Sequence, residues 1–181
     1  MLVAQLQKIA ATSDHTYDKS LGMLKSIFQT RDPDYLKREP AAVCVLFAGA
    51  DFRNSEILLT MRSGSVATHA NQVAFPGGSL EPGDLHDPKR AAARECFEEV
   101  GVPEGLIHSH AVLDAYPTFG GSFLVHPVLA TVEGPGRAAP LIMDPAEVVF
   151  AEWVSVAKLM ESRQVEERVV FGNAIKAPYF M

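Results

Sequence analysis

The chain has 181 residues, of which 48% are hydrophobic, and a formal net charge of −6. This length suits one domain with an ordinary apolar core, and the acidic balance argues against a general nucleic-acid-binding surface, which would be basic. No apolar run approaches the roughly 18 residues that a membrane-spanning helix needs. We therefore expect neither a nucleic-acid partner nor a membrane.

The first 35 residues are predicted to form a helical extension ahead of a domain over residues 36–181. Residues 2–11 and 19–28 have weak helical patterns. The second segment carries an apolar stripe suited to packing in the core or at an interface. A homodimer is therefore one expected assembly. The start lacks the cationic flank of a secretion signal and the arginines of a mitochondrial presequence. A cytoplasmic location is expected, with mitochondria and peroxisomes as alternatives.

Within the domain, apolar and β-branched runs bounded by turn residues predict strands over residues 41–48, 56–62, 111–115, 123–132 and 148–154. A polar turn at residues 51–55 joins the first two strands. Residues 134–136 are predicted as a loop and residues 156–162 as a short helix. This mixed pattern predicts a sheet covered by helices on both sides.

A further helix is predicted to begin after Asp87 and to end before Gly101. Asp87 is a good N-cap, Pro88 suits the first helical position, and Gly101 readily adopts the left-handed conformation that ends many helices. An i, i+4, i+8 spacing predicts the core-facing side, which consists of Ala92, Cys96 and Val100. Cys96, on this side, and Cys44, in an apolar run, are expected to be buried reduced thiols.

Three glutamates lie on one face of this helix, since residues 95, 98 and 99 are close together at about 100° per residue. Like charges at this spacing repel, and the C-terminal end of a helix favours cations. Arg94 relieves part of this repulsion through Glu98 at i+4. A divalent cation such as Mg²⁺, which prefers carboxylate ligands, would relieve the rest. The alternative is a solvated acidic face.

The helix resembles the second half of the signature of the Nudix hydrolase family. Residues 94–102 (RECFEEVGV) match it completely, with Cys96 in the apolar slot. The first half is looser, because the segment from Gly78 to Arg94 is two residues longer than the signature. The acidic residue of that half is Asp84 or Asp87, with Glu81 as a third candidate.

A second resemblance is to the coenzyme A pyrophosphatase branch of this family. It rests on residues 58–63 (LLTMRS), on His69 and on residues 72–78 (QVAFPGG). Two departures put the identity of the substrate in doubt. A basic residue usual in this branch is Ala67 here, and a usual glycine is Asn71.

The resemblance implies the family's α/β/α sandwich with a mixed β-sheet, and it implies a metal site. Glu95 and Glu99 are then the principal ligands of Mg²⁺ or Mn²⁺, and Glu98 shares ligation or acts as the general base. Arg94 orients these carboxylates, and the Gly78 carbonyl is a further candidate ligand. Arg94, Glu98 and Glu99 are thus the expected catalytic residues.

Three further residues are candidates for substrate binding. Arg62 is expected to contact a substrate phosphate, although an arginine at a strand end is as often a surface residue. His69 precedes the Gly-Gly turn and either contacts the substrate or has a structural hydrogen bond. Phe119 either stacks on adenine or lines the pantetheine path, with a core-capping role as the simpler alternative.

The expected function is hydrolysis of a diphosphate linkage in coenzyme A or an acyl-coenzyme A, giving 3′,5′-ADP and (acyl-)4′-phosphopantetheine. One alternative is hydrolysis of another nucleotide diphosphate, such as ADP-ribose, a dinucleoside polyphosphate or a nucleoside triphosphate. The other is a non-catalytic binding protein on the same fold, against which all three glutamates count. Relatives are expected to continue past residue 181 through a strand and a helix, so a shortened or divergent C-terminus is expected here.

Overall fold

A computed structural model describes residues 2, 4, 32, 34–64, 71–118, 121–170 and 173–180. The helices expected over residues 2–11 and 19–28 lie outside the described residues, apart from Leu2 and Ala4. The division at residue 35 therefore stays a prediction.

Eight strands form the main sheet of the described chain: β1 (Glu39–Ala48), β2 (Glu56–Arg62), β3 (Val73–Ala74), β4 (Gly77–Ser79), β5 (Ile107–Val112), β6 (Tyr116–Pro117), β7 (Phe123–Val132) and β8 (Val148–Ser155). The central strand β1 pairs in parallel with β7 and antiparallel with β2 and β4. Strand β8 pairs with the other edge of β2. The sheet is therefore mixed, as predicted.

Helices cover both faces of this sheet. Helix α1 (Pro88–Val100) packs its buried Ala92, Cys96 and Val100 on one face, together with Cys44 and Leu46 of β1. On the other face, Phe47 packs with residues of helix α3 (Val156–Ser162). Alternate residues of β1 thus point to opposite layers, as the two-residue period of a strand requires. The α/β/α sandwich is confirmed.

Two sequence predictions were wrong in position or type. The strand expected over residues 111–115 is β5, which ends at Val112, because its polar residues His108, Ser109 and His110 concealed a segment that pairs along β7. The loop expected over residues 134–136 begins a short helix, α2 (Gly134–Ala138). A proline is tolerated in a first helical turn, so the signals for a turn and for a helix start overlap there.

A separate antiparallel hairpin follows α3. It consists of β9 (Arg163–Val170) and β10 (Asn173–Phe180), which pair along their whole lengths. The sequence prediction missed it, since the charged residues of β9 obscure the alternation of a strand. The predicted bounds of β2, β7 and α3 were confirmed.

Candidate metal centre

Helix α1 has the ends that its sequence predicts. The Asp87 carboxylate accepts a hydrogen bond from the Lys89 amide at 2.9 Å, which caps the N-terminus. Gly101 has φ 75°, in the left-handed region, and its amide bonds back into the last turn. These caps fix where the helix stops, so residues 95–99 are presented at a defined height above β1 and β4.

Both cysteines are buried and free, as predicted. Cys96 lies on the core side of α1, beneath the acidic residues. The neighbouring Cys44 thiol and burial raise the pKa of Cys96 well above its usual value. Cys96 is therefore a neutral packing side chain.

Arg94 connects the turn before α1 to the acidic face of the helix. Its Nε and Nη2 donate to the two carboxylate oxygens of Asp84, at 3.2 and 3.1 Å, and Nη2 also donates to the Ser79 carbonyl at 3.0 Å. Its Nη1 lies 2.9 Å from Glu95 Oε1 and 2.7 Å from Glu98 Oε2. Arg94 therefore bridges carboxylates on both sides of the site.

Asp84 is the best-placed acidic residue of the three candidates in the first half of the signature. It is buried, and its Oδ2 also accepts the Glu81 amide at 2.8 Å. Burial alone would raise the pKa of Asp84, but the Arg94 guanidinium and the Glu81 amide outweigh it, so this pKa is lowered. Asp87 instead caps the helix, and Glu81 lies 4.0 Å from Arg94.

Three carboxylates meet beside the core-facing side of α1. Glu95, Glu99 and Glu147 each offer an oxygen, and these atoms all lie within 4.8 Å of one another. Glu95 and Glu99 are buried, whereas Glu147 is exposed just before β8. Neither oxygen of the buried Glu99 carboxylate accepts a well-formed hydrogen bond from the described residues, although the Gly77 amide lies close enough to lower the pKa of Glu99 slightly.

An unpartnered buried carboxylate is unfavourable, because burial removes hydration without a compensating interaction. Burial and the Glu95 charge raise the pKa of Glu99 to about 8. Burial also raises the pKa of Glu95, against the opposing effect of Arg94. Anionic oxygens from three side chains at this spacing are the donor set that a hard divalent cation prefers. The residues present therefore fit such a cation.

Gly78 leaves the room that the Glu95 carboxylate occupies. A Cβ added at Gly78 would lie 2.8 Å from Glu95 Cδ, and one at Gly77 would lie 2.7 Å from Val43 Cα on β1. The Gly-Gly turn therefore brings backbone against both the sheet and the acidic cluster. A larger residue at position 78 would displace Glu95.

Glu98 lies outside the group of three carboxylates that meet. Its side chain is 53% exposed and accepts from Arg94. The helical spacing correctly puts residues 95, 98 and 99 near each other, but Glu98 is turned toward solvent. Its role as ligand or base stays a prediction.

Arg62 lies between this cluster and a cavity of about 360 Å³. Its Nη1 is 3.5 Å from Glu99 Oε1. The register of β2 against β8 shifts between Met61 and Arg62, and such bulges redirect side chains. The cavity wall is largely apolar and includes Gly77, Gly78 and, on the far side, Phe123.

Asn71, one of the two departures from the branch pattern, has φ 58°. This is the left-handed region, in which asparagine is the commonest substitute for glycine. Asn71 therefore adopts a backbone conformation that glycine also adopts readily. Ala67, His69 and Phe119 lie outside the described residues, and the proposed roles of the last two stay predictions.

The sequence prediction missed Glu147. Helical spacing groups residues within one helix, but it cannot bring in a carboxylate from a distant loop. The Asp144 amide donates to the Glu99 carbonyl at 3.0 Å, and the Glu147 amide donates to the Asp144 carbonyl at 3.1 Å. This turn carries Glu147 to the end of α1. An acidic residue directly before the buried Val148 was the available signal.

An α/β/α sandwich that presents a carboxylate cluster beside a Gly-Gly turn is suited to divalent cation binding. The NUDIX domain family matches residues 37–172, and the chain belongs to this family. The curated relatives include Nudix hydrolase 15, mitochondrial, of Arabidopsis thaliana, which is 32% identical over 154 residues, or 83% of this chain and 53% of that protein. Another is the peroxisomal coenzyme A diphosphatase ndx-8 of Caenorhabditis elegans, 30% identical over 125 residues, or 68% of this chain and 51% of that protein.

The chain spans about half the length of these two relatives. Among solved structures, the Nudix hydrolase RenU from M. smegmatis matches with a TM-score of 0.54 and 20% identity, covering 68% of this chain and 74% of that one. This likeness supports the fold. No helix among the described residues is long and apolar enough to cross a membrane.

Proposed function

We propose that the protein is a metal-dependent hydrolase that cuts the diphosphate linkage of coenzyme A or an acyl-coenzyme A. The products would be 3′,5′-ADP and (acyl-)4′-phosphopantetheine. The observation that carries the proposal is the buried Glu99 carboxylate, which lacks a well-formed hydrogen bond and lies within reach of Glu95 and Glu147. A protein without a cation-dependent function has no evident use for this unfavourable arrangement.

Glu95, Glu99 and Glu147 would hold the cation, with the Gly78 carbonyl as a further candidate ligand. Bound Mg²⁺ or Mn²⁺ would neutralise diphosphate charge and lower the pKa of a bound water. Arg94 orients Glu95 and Glu98 through its 2.9 and 2.7 Å contacts. Glu98, the exposed member of the helix face, is the candidate base.

The substrate side of the proposal rests on the cavity beside Arg62. An apolar cavity next to a guanidinium suits a ligand with a diphosphate and a less polar arm. His69 and Phe119 are proposed to contact that ligand. The 30% identity to a coenzyme A diphosphatase supports coenzyme A as the ligand.

A second candidate is another nucleotide diphosphate, such as ADP-ribose, a dinucleoside polyphosphate or a nucleoside triphosphate. The residue that favours it is Ala67, which lacks the basic side chain expected in the coenzyme A branch. We propose the cytoplasm as the location, with mitochondria and peroxisomes as alternatives, and leave a homodimer open.

The test is a panel of coenzyme A, acetyl-coenzyme A, ADP-ribose, a diadenosine polyphosphate and a nucleoside triphosphate, with Mg²⁺ or Mn²⁺. Products are identified by mass spectrometry, and the E99Q variant serves as the inactive control. The highest kcat/KM is expected for a coenzyme A substrate. Faster cleavage of ADP-ribose would overturn the substrate while leaving the metal chemistry, and no turnover with any substrate would favour a binding protein.

The A67R variant sharpens the substrate test. An added guanidinium should bind a phosphate of coenzyme A in the ground state and the transition state alike, so KM should fall with little change in kcat. An unchanged KM would remove Ala67 from the recognition site.

A further inference from the structure

Arg62 is held by one of the proposed metal ligands. Its Nη1 lies 3.5 Å from Glu99 Oε1, and the two side chains are 20% and 2% exposed. The Glu99 carboxylate has no well-formed hydrogen bond from the described residues, and this guanidinium is its closest described positive charge. The attraction is only weakly screened, because the pair is largely removed from water.

The backbone of Arg62 is fixed on both sides. Its amide donates to the Gln72 carbonyl at 3.0 Å, and its carbonyl accepts the Asn71 amide at 3.2 Å. The left-handed Asn71 closes this connection. Gln72 and Asn71 thus hold the backbone of Arg62, so a change of partner involves its long side chain.

The same side chain also lines the cavity beside Gly77 and Gly78. Glu99 and a phosphate in that cavity would therefore both be anionic partners within its reach. An arginine that pairs with Glu99 has fewer donors left for a phosphate oxygen. Binding at one of these places should accordingly affect binding at the other.

We propose that Arg62 couples cation binding to substrate binding. Glu99 holds its guanidinium while no cation is bound, and the guanidinium becomes available to a substrate phosphate once Glu99 serves as a metal ligand. The inference rests on the proposed function and adds a reciprocal coupling between the two ligands. It assigns Arg62 two alternative partners rather than one.

The test measures binding of ADP, used as a diphosphate probe, by calorimetry in EDTA and above pH 8, so that no cation is present and the Glu99 carboxylate is ionised. E99Q should release Arg62 and raise ADP affinity by about 5- to 10-fold, within the usual range of coupling. R62Q alone supplies the metal-free affinity of a protein that lacks the guanidinium. The double variant R62Q/E99Q should lose the gain.

The E95Q variant is the matched control, because it removes the same charge from the same cluster without removing the partner of Arg62. A gain in E95Q equal to that in E99Q would mean that ADP responds only to lower negative charge. A gain that persists in R62Q/E99Q would overturn the coupling as well. R62K keeps the positive charge, so R62K/E99Q should retain part of the gain in ADP affinity. If R62K/E99Q shows no gain in ADP affinity, the proposal is contradicted.

A separate measurement distinguishes this failure from failure of the proposed function. Mn²⁺ binding to the wild type is followed by electron paramagnetic resonance, and turnover is followed with the substrate panel. If the wild type binds Mn²⁺ and turns over substrate, but ADP affinity in the variants does not depend on Arg62, only the coupling fails. If Mn²⁺ does not bind, the metal site and the coupling fail together.

Discussion

Asp84 and Glu99 are both almost completely buried carboxylates of the same site. Asp84 accepts two hydrogen bonds from the Arg94 guanidinium and one from the Glu81 amide, and its pKa is lowered. Glu99 accepts no well-formed hydrogen bond from the described residues, and burial with the Glu95 charge raises its pKa to about 8. The two carboxylates are thus similarly buried, but their pKa values are shifted in opposite directions.

This difference separates a structural carboxylate from one that is available to a ligand. Asp84 contributes to stability because its charge is compensated within the protein. Glu99 has Arg62 at 3.5 Å as its closest described cation and no well-formed hydrogen bond, so its ionised form is destabilising until another positive charge arrives. Ligand-binding sites often lower the stability of the folded protein.

The largest expected effect is a loss of catalysis when Glu99 or Glu95 is replaced by neutral glutamine. E99Q and E95Q should each lower kcat/KM by on the order of 10³-fold or more, because metal-assisted charge stabilisation contributes several kcal/mol. The fold should persist, since each change removes a buried charge. Steady-state kinetics with circular dichroism provide the check.

E104Q is the matched control for these variants, because Glu104 is exposed in a 3₁₀ turn after α1. Its activity should equal that of the wild type. Full turnover in E99Q would remove Glu99 from the metal site.

A smaller effect is expected when the structural carboxylate is neutralised. D84N leaves the Arg94 guanidinium with one carboxylate fewer, so unfolding free energy should fall by about 2 kcal/mol. Activity should fall by roughly 10- to 100-fold, because Arg94 also positions Glu95 and Glu98. Urea unfolding and kinetics measure the two effects.

D87A provides the contrast to D84N on the same turn. It removes the helix cap, which should cost about 1 kcal/mol of stability with activity retained at temperatures where the protein is folded. If D84N and D87A had the same effect on activity, Asp84 would be no more than a stabilising residue.

A further expected effect is the pH dependence of stability without metal. The pKa of Glu99 rises from 4.5 in the unfolded chain to about 8 in the folded one, so the folded state binds more protons between these values. Unfolding free energy should therefore fall as pH rises from about 5 to 8, and E99Q should have a flatter profile. Urea titrations in EDTA at several pH values measure this, and equal slopes in both proteins would contradict the assignment.

The sequence predicted the local part of this site and not its assembly. The caps of α1, its core side and the grouping of Glu95 and Glu99 follow from helical periodicity and from residue preferences at helix ends. Glu147 was missed because a turn outside the helix brings it in through backbone bonds to α1. The pairing of Arg62 with Glu99 likewise depends on the β-bulge in β2, which no local pattern indicates.

Elsewhere, prediction failed where polar residues mask a strand. β5 carries two histidines, and its extent is set by pairing with β7 rather than by alternation. β9 contains charged residues at half of its positions, and local alternation does not indicate its pairing with β10. Strands with clean apolar runs, such as β2 and β7, were predicted to the residue.

The most direct test of the central claim is the anomalous scattering of Mn²⁺ in crystals of the wild-type protein. The account predicts a peak among the carboxylate oxygens of Glu95, Glu99 and Glu147, with Asp84 still bound to Arg94. A peak confined to exposed carboxylates such as Glu81, with Glu99 lacking a metal contact, would contradict it.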